Sequence, residues 1–222
     1  YQSMHLSEYR DALERLNAAG MTYRCICTRA KLSVSARQGP DGPVYAGTCR
    51  DSAHTVRHSS IRLRIPDRIL ILEDGWQGRL QRHLRKEIGD FVLRRADDVI
   101  AYQLACAIDE AAQSITEIVR GSDLLGSSFC QIAIRDLLDL PFVQYRHLPV
   151  LTGPDSRKLS KQNHAPALRD EDATHNLLRC LHYLGLPCSD GLESLAPEQV
   201  VQWAVQHWEP RRGPRQSSLQ VE

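Results

Sequence analysis

The stretch ADDVIAYQLACAIDEAAQSITEIVRG, residues 96–121, decides the predicted fold class. Its segments 96–111 and 114–121 are apolar runs that contain β-branched residues, and such runs indicate buried strands. The next segment, SSFCQIAIRDLLDL at residues 127–140, has helical spacing behind a serine that is suited to cap a helix. Because short strands alternate with helices here, the sequence predicts an α/β sheet.

An amphipathic helix is predicted ahead of this sheet region. Residues 6–19 carry apolar side chains at steps of three and four, from Leu6 to Leu16, and Gly20 follows as a stop signal. Residues 25–68 are instead rich in Gly, Pro, Ser and Arg. That composition predicts a small insert that is organised by something other than a hydrophobic core.

The C-terminal part of the chain is predicted to be mostly helical. Segments 174–187 and 195–208 both have helical periodicity, and the second has a proline near its first turn. The tail PRRGPRQSSLQVE, residues 210–222, is predicted to be disordered.

Composition narrows the possible functions. The chain has 222 residues and is 42% hydrophobic, which is enough for a real core. Its net charge of +1 excludes the overall basic field of a non-specific nucleic-acid binder. Contacts with a polyanion would therefore come from local basic patches, at residues 57–68, 79–86 and 157–161.

The cellular environment of the chain is predicted from its apolar runs and its cysteines. No run approaches the length of a membrane span, and the polar N-terminus does not resemble a signal peptide. Seven cysteines, an odd number, fit a reducing compartment better than a disulfide framework. We expect a cytoplasmic monomer that has no membrane partner.

A candidate zinc site lies in the predicted insert. Its possible ligands are Cys25, Cys27, Tyr45 and Cys49. Zinc binds thiolates readily, and such an ion would stabilise an insert that has no core. Tyrosine is an unusual ligand, so His54 and His58 compete for the fourth position. The alternative interpretation is a group of ordinary buried cysteines.

A tyrosine and an arginine in the two predicted strands form a candidate carboxylate site. Tyr102 is polar among apolar neighbours, and Arg120 closes the second run. Strand ends line the ligand crevice of an open α/β sheet, and a guanidinium offers two donors that match a carboxylate. The alternative is a packed tyrosine and a surface arginine.

A basic loop is the third candidate site. The stretch RKLSKQN, residues 157–163, follows a turn written LTGPDS and contains Lys158 and Lys161. The functional interpretation is a flexible clamp that brings ammonium groups to phosphates as negative charge develops there. The alternative is a solvated basic turn.

These segments resemble the class I aminoacyl-tRNA synthetases. RKLSKQN is similar to their second signature, the lysine-serine-lysine loop that stabilises the phosphates of ATP. Residues 91–125 resemble the catalytic domain of glutamyl-tRNA synthetases, and YRHLPVLTGPDSRKLSKQNHAPAL at 145–168 continues the match. The stretch TYRCICTR at 22–29, the Tyr-x-x-x-Cys pair and an early C-terminus are most similar to the glutamyl-queuosine tRNA(Asp) synthetase family.

The resemblance implies a Rossmann-like class I catalytic domain with a small zinc-binding insert and a helical C-terminal part. The implied division is a catalytic α/β domain at 1–24 and 69–150, the insert at 25–68, the lysine-serine-lysine loop at 151–164, a helical subdomain at 165–209 and the tail at 210–222.

The resemblance also implies roles for individual residues. Tyr102 and Arg120 would bind glutamate, and Lys158 and Lys161 would be catalytic, with Lys161 in contact with ATP. ATP would be a substrate together with Mg²⁺. One structural zinc would be held by Cys25, Cys27, Tyr45 and Cys49.

The sequence departs from this family in two places. The family opens with a strand and a His-x-Gly-His-like signature, and neither precedes Tyr1. We therefore expect a missing N-terminal part and no activity from this chain by itself. The second departure is Cys130, where relatives place an arginine.

The implied function is activation of glutamate with ATP and its transfer to queuosine in the anticodon stem-loop of tRNA(Asp). Two alternatives remain open. An ordinary glutamyl-tRNA synthetase fragment is disfavoured because the segment after Lys161 is short for an anticodon-binding domain. An inactive zinc module that binds RNA would use the basic patches alone.

Overall fold

The computed structural model describes residues 1–56 and 58–221 of the chain. The α-helices of this part are α1 (Leu6–Ala18), α2 (Arg29–Ser35), α3 (Tyr102–Ala112), α4 (Leu125–Leu138), α5 (Ala173–Tyr183) and α6 (Pro197–His207). Helices α1, α5 and α6 were predicted from periodicity, and all three are confirmed. None of the helices in this part combines the length and the hydropathy that a bilayer span needs.

The strands fall into four sheets. They are β1 (Thr22–Cys25), β2 (Arg37–Gly39), β3 (Gly42–Val44), β4 (Ser60–Leu63), β5 (Ile69–Asp74), β6 (Gly78–His83), β7 (Val92–Arg94), β8 (Glu117–Gly121), β9 (Gln144–Leu148), β10 (Val150–Thr152) and β11 (Ser218–Gln220). One sheet has the order β6-β5-β9-β8, and a second has the order β1-β4-β7 with antiparallel pairs. Strands β2 and β3 form an antiparallel pair, and β10 and β11 form a parallel pair.

Helix α1 forms because its apolar side chains share one face. Tyr9 and Leu16 are each only 1% exposed. The helix ends before Gly20, whose φ of +70° is in the left-handed region that glycine adopts without strain. The sequence signal and the structure therefore agree at both ends of this element.

The predicted strand at residues 96–111 is wrong. Residues 102–112 form α3, and Leu104 and Ala107 on its buried face are both 0% exposed. The β-branched pair Val99 and Ile100 lies just before the helix, whereas the rest of the run is rich in alanine, the strongest helix former. The predicted strand at 114–121 is confirmed as β8.

The strand–helix–strand pattern around α4 confirms the α/β class. Strands β8 and β9 are neighbours in their sheet, and α4 lies between them in the chain, so strand and helix alternate here as in α/β folds. The predicted serine cap is wrong because α4 begins at Leu125, and its N-cap residue Leu124 makes no side-chain cap. Ser128 instead donates its hydroxyl to the carbonyl of Leu124.

The chain divides into two compact units. The first comprises Tyr1–Glu73, Arg79–Ile118 and Leu124–Tyr145. One of its buried clusters joins side chains of α1, α3 and α4, and another surrounds Phe129. Strand β4, which lies inside the predicted insert at 25–68, pairs with both β1 and β7 and so belongs to the three-stranded sheet of this unit.

The second unit comprises Asp74–Gly78, Val119–Asp123 and Arg146–Glu222. Its core contains Leu181 and Val200 from α5 and α6. The tail differs from the predicted disorder, because Ser218–Gln220 pair with Val150–Thr152 as β11 and thereby satisfy backbone groups of β10. The last tail residue, Glu222, lies outside the described residues.

Candidate active site and metal site

The predicted zinc ligands lie together in the first unit. The three thiol sulfurs of Cys25, Cys27 and Cys49 lie within 4.8 Å of one another. The Tyr45 hydroxyl oxygen is 3.5 Å from the sulfurs of Cys25 and Cys27, and the sulfurs of Cys27 and Cys49 are 3.6 Å apart. Four residues from two short segments of the chain, 25–27 and 45–49, therefore converge on one point, which we call the cysteine cluster.

The spacing within the cysteine cluster fits a tetrahedral zinc ion. With zinc–sulfur bonds of about 2.3 Å and zinc–oxygen bonds of about 2.0 Å, a tetrahedron has sulfur–oxygen edges of roughly 3.5 Å and sulfur–sulfur edges of roughly 3.8 Å. The separations of 3.5 Å from the Tyr45 oxygen and of 3.6 Å between Cys27 and Cys49 are close to these edges, and all three sulfurs lie within 4.8 Å of one another. Among the described residues neither His54 nor His58 joins the group, whereas the Tyr45 hydroxyl lies beside two of its sulfurs.

The surroundings of the cysteine cluster affect how its donors ionise. Burial opposes ionisation of Cys25, but the Tyr45 hydroxyl, the Cys27 amide and the Arg62 guanidinium favour the thiolate, and the pKa of Cys25 is lowered to about 7. Burial raises the pKa of the Cys27 thiol and that of the Tyr45 phenol. Since zinc takes thiolates, one of its prospective ligands already ionises near neutral pH.

A buried carboxylate, that of Asp90, belongs to a group of contacts that supports the cysteine cluster. Asp90 is 5% exposed, accepts a hydrogen bond of 2.7 Å from the Tyr23 hydroxyl and pairs with Arg50. Arg62 donates to the Asp90 carbonyl at 2.8 Å and lies 4.0 Å over the ring of Tyr45. These contacts hold the tyrosine in place and leave its hydroxyl directed at the sulfurs.

The lysine loop, residues 151–164, lies in the second unit and is held mainly by its own backbone. The amide of Gly153 donates to the carbonyl of Arg157 at 2.9 Å, and that of Leu159 donates to Leu151 at 2.8 Å. Ser156 has a φ of +59°, the left-handed conformation of a tight turn. The loop is therefore a defined hairpin-like turn that presents its basic side chains to solvent.

The two lysines of this loop have different partners. The ammonium of Lys158 lies 2.5 Å from the carboxylate of Asp123. Lys161 is exposed and opens a short 3₁₀ helix, Lys161–Asn163, which Ser160 caps by accepting a hydrogen bond from the amide of Asn163. No carboxylate among the described residues forms an ion pair with Lys161.

Arg120 contacts His147, which in turn contacts Asp74, and the sequence analysis missed both of these residues. Nε of Arg120 donates to Nε2 of His147 at 3.3 Å, and Nδ1 of His147 lies 2.6 Å from Oδ2 of Asp74. A signal for both existed in the sequence, because Asp74 and His147 occupy inward positions of the alternating strands β5 and β9. A charged or polar side chain on the buried face of a strand requires a partner.

Tyr102 is placed differently from the prediction. It is the first residue of α3 rather than part of a strand, and it is 49% exposed. Tyr102 belongs to the first unit and Arg120 to the second. Their roles in binding glutamate stay predictions.

Cys130, the second departure expected from the sequence, is buried in α4. Burial raises the pKa of its thiol to about 12, so the side chain is a neutral, inert part of the core.

The basic patches at 57–68 and 79–86 are largely paired within the protein. Arg62 is only 5% exposed, Arg64 pairs with Asp51, and Arg82 pairs with Asp41. Further pairs join Arg68 with Asp136, Arg79 with Glu73 and Arg85 with Asp67. Arg57 lies outside the described residues. Less of this charge is available to an RNA backbone than the sequence indicates.

Comparison with known proteins gives the family. The model of the family "tRNA synthetases class I (E and Q), catalytic domain" matches residues 1–210. Three relatives are named glutamyl-Q tRNA(Asp) synthetase. That of Pseudomonas syringae pv. tomato is 40% identical over 99% of this chain and 72% of its own length. That of Chromobacterium violaceum is 45% identical over 96% of this chain and 72% of its length. That of Neisseria meningitidis serogroup A is 43% identical over 97% of this chain and 74% of its own length.

Solved structures show the same fold. A glutamate tRNA ligase from Elizabethkingia meningosepticum, in complex with its amino acid, matches all of this chain with a TM-score of 0.72 at 18% identity. A glutamate-tRNA synthetase from Elizabethkingia anophelis matches with a TM-score of 0.73 at 18% identity. The chain spans about half of these two proteins, 51% and 52% of their lengths. The chain therefore belongs to the family of class I tRNA synthetases for E and Q, has the fold of their catalytic domain, and is similar to the glutamyl-Q tRNA(Asp) synthetases.

Proposed function

We propose that this chain carries the catalytic machinery of a cytoplasmic, monomeric enzyme that activates glutamate with ATP and transfers it to queuosine in the anticodon loop of tRNA(Asp). The observation that carries the proposal is the 38–45% identity, over nearly the whole chain, to relatives named glutamyl-Q tRNA(Asp) synthetase. The geometry of the second unit supports it, since an arginine and an exposed lysine loop offer the cationic groups that the two substrates need.

In the first step, the carboxylate of glutamate attacks the α-phosphorus of ATP, and pyrophosphate leaves. Negative charge develops on the phosphate oxygens, and Lys161 supplies an ammonium group there, with Mg²⁺ bound by the nucleotide. Lys158 takes part beside it once it exchanges Asp123 for phosphate. The exposed, carboxylate-free position of Lys161 suits this role.

In the second step, a hydroxyl of the queuosine base attacks the acyl carbon of glutamyl-adenylate, and AMP leaves. Arg120 holds a carboxylate of glutamate through charge-assisted hydrogen bonds, and Tyr102 is the second glutamate-binding residue. Both groups act by binding and orienting the substrate, which accelerates the reaction by holding it close to the reacting geometry.

The cysteine cluster has a structural role in this proposal. Cys25, Cys27, Tyr45 and Cys49 would hold one zinc ion with all four corners filled by protein. Such a closed site contributes folding free energy and takes no part in the reaction.

The acceptor is tested by incubating the native full-length protein with ATP, labelled glutamate and three RNAs. These are queuosine-containing tRNA(Asp), the same tRNA without queuosine, and tRNA(Glu). We expect label only on the first, and we expect the Lys161→Ala variant to leave it unlabelled. Label on the 3′ end of tRNA(Glu) would identify an ordinary glutamyl-tRNA synthetase. Binding of RNA without any labelling would identify a module that only binds RNA.

A further inference from the structure

Three side chains of the second unit form a row that leads from its interior to Arg120. Oδ2 of Asp74 lies 2.6 Å from Nδ1 of His147, and Nε2 of the same ring accepts from Nε of Arg120 at 3.3 Å. The side chains of Asp74 and His147 are both 0% exposed, whereas Arg120 is only partly buried. The row therefore connects a fully buried acid to a group that solvent reaches.

Proton positions in this row follow from the chemistry of its two ends. A carboxylate only accepts hydrogen bonds, so Nδ1 of His147 carries the proton that lies between them. A guanidinium only donates, so Nε2 must be unprotonated in order to accept from Arg120. The row thus selects the neutral imidazole with its proton on Nδ1, and an imidazolium would place two N–H groups face to face.

Asp74 is itself fixed by the turn between β5 and β6. Its Oδ1 accepts from the amides of Trp76 at 2.9 Å and Gln77 at 2.8 Å, and from the amide of His147 at 3.2 Å. Burial opposes ionisation of Asp74, but these donors and the imidazole outweigh it and lower the pKa of the carboxyl. A rigid carboxylate that accepts from four donors cannot rotate away from the ring.

Gln77 holds the backbone of His147 through its side chain. Its side-chain amide donates to the carbonyl of His147 at 2.8 Å and to that of Gln216 at 3.0 Å. The backbone that carries His147 is therefore held as firmly as its ring.

We propose that Asp74 and His147 are positioning residues that fix the plane of the Arg120 guanidinium for the carboxylate of glutamate. The hydrogen bond from Nε of Arg120 to His147 prevents rotation of the guanidinium plane. The orientation of this plane decides whether two guanidinium N–H groups can donate to both oxygens of one carboxylate. The inference rests on the proposed function for the identity of the ligand. The proton arrangement in the row does not depend on it.

The ring nitrogens provide a test that needs no substrate. In a ¹⁵N-labelled sample of the native protein, long-range ¹H–¹⁵N spectra distinguish the protonated from the unprotonated nitrogen of each histidine. In spectra recorded at pH 7, we expect His147 to carry a proton on Nδ1 and none on Nε2. A proton on Nε2 at this pH would overturn the proposal even if the enzyme proved to be a glutamate-activating one.

Kinetics test the effect on the substrate. The His147→Leu variant removes both hydrogen bonds and should raise the KM for glutamate about tenfold to a hundredfold, the range for losing a hydrogen bond to a charged group, with kcat and the KM for ATP changed far less. The His147→Gln variant can still donate to Asp74 and accept from Arg120, so its KM should stay within about threefold of the native value.

The matched control is His175→Gln on the exposed face of α5, which should leave every constant unchanged. Equal KM values for glutamate in the Leu, Gln and native proteins would overturn the proposal. If the His147→Leu variant does not fold, the His147→Gln variant provides the test. The proposal would be overturned if His147→Gln raised the KM for glutamate as much as Arg120→Ala does. Absence of any glutamate-dependent reaction in the native protein would contradict the proposed function, and the nitrogen spectra would still decide the positioning of Arg120.

Discussion

The cysteine cluster and the lysine loop both gather reactive side chains, but they do so in opposite ways. In the cluster, Cys25 and Cys49 are 1% and 3% exposed, and donor atoms stand 3.5 to 3.6 Å apart. In the loop, Lys161 is exposed and no carboxylate of the described residues pairs with it.

Under the proposed function, this difference reflects two kinds of task. A structural ion must be enclosed, so its ligands are buried and supported by neighbours such as Arg62 and Asp90. An ammonium group that stabilises charge in a transition state must reach a substrate that comes and goes, so it stays accessible. A sequence places cysteines or lysines near each other in both cases, and burial is what separates the two.

The largest effect is expected from removing one ligand of the cysteine cluster. We predict that Cys49→Ser loses the one zinc ion per chain that the native protein should contain, because a hydroxyl replaces a buried thiolate ligand. Metal analysis of the purified proteins measures this, and hydrogen exchange should show lost protection around residues 25–50.

The matched control for that change is Cys180→Ser, which alters an exposed cysteine of α5. It should keep both zinc and stability. A native protein that contains no zinc, or a Cys49→Ser protein that is as stable as the native one, would show that these are ordinary buried cysteines.

In the exposed region, the next largest effect is expected at Lys161. We predict that Lys161→Ala lowers the rate of ATP–pyrophosphate exchange in the native full-length protein by about a hundredfold or more, because the lost charge acts mainly in the transition state. Circular dichroism and melting temperature should not change. Lys31→Ala, which removes an exposed lysine of α2, is the control. Exchange that survives Lys161→Ala intact would make the loop a solvated turn.

A smaller effect is expected on removing the Tyr45 hydroxyl, which has two roles: it accepts a backbone hydrogen bond and is a prospective zinc ligand. Its hydroxyl accepts a hydrogen bond of 2.8 Å from the buried amide of Cys49 as well as facing two sulfurs. We predict that Tyr45→Phe lowers the free energy of unfolding by about 1–3 kcal/mol, the cost of an unsatisfied buried donor, and weakens zinc binding without abolishing it. Urea unfolding and competition with a chelator measure the two quantities. Unchanged values for both would remove Tyr45 from the ligand set.

The smallest effect is expected at Lys158. This lysine already pairs with Asp123 and must exchange that partner for phosphate. The free energy lost with the Asp123 pair therefore cancels part of what Lys158 gains by contacting phosphate. We predict that Lys158→Ala lowers exchange about tenfold, clearly less than Lys161→Ala does. A loss equal to that of Lys161→Ala would show that the resting ion pair does not moderate the role of Lys158.

Local patterns predicted helices α1, α4, α5 and α6 and strand β8, but not the other strands. The step of three and four residues from Leu6 to Leu16 gave α1, and Pro197 marked the first turn of α6. The failure at α3 has a physical cause: a run of small apolar residues is compatible with a buried strand and with a buried helix, and the packing of Leu104 and Ala107 decides between them. Strand β11 was missed because its pairing with β10 links residues far apart in the chain.

The candidate sites were predictable to different degrees. Cysteine spacing indicated a metal site, and the structure brings those residues together with the unusual Tyr45. Asp74 and His147 lie 73 positions apart, and only the fold shows that they share a hydrogen bond. Sequence patterns therefore locate groups that are close in the chain, whereas supporting contacts require the tertiary structure.

The most direct test of the proposed function is to locate the transferred glutamate on the RNA. Queuosine-containing tRNA(Asp) is incubated with ATP, glutamate and the native full-length protein, then digested to nucleosides under conditions that preserve esters and analysed by mass spectrometry. We predict that the queuosine nucleoside gains the mass of one glutamyl group while the 3′-terminal adenosine stays unmodified. Glutamate on the terminal adenosine with unchanged queuosine would contradict the account.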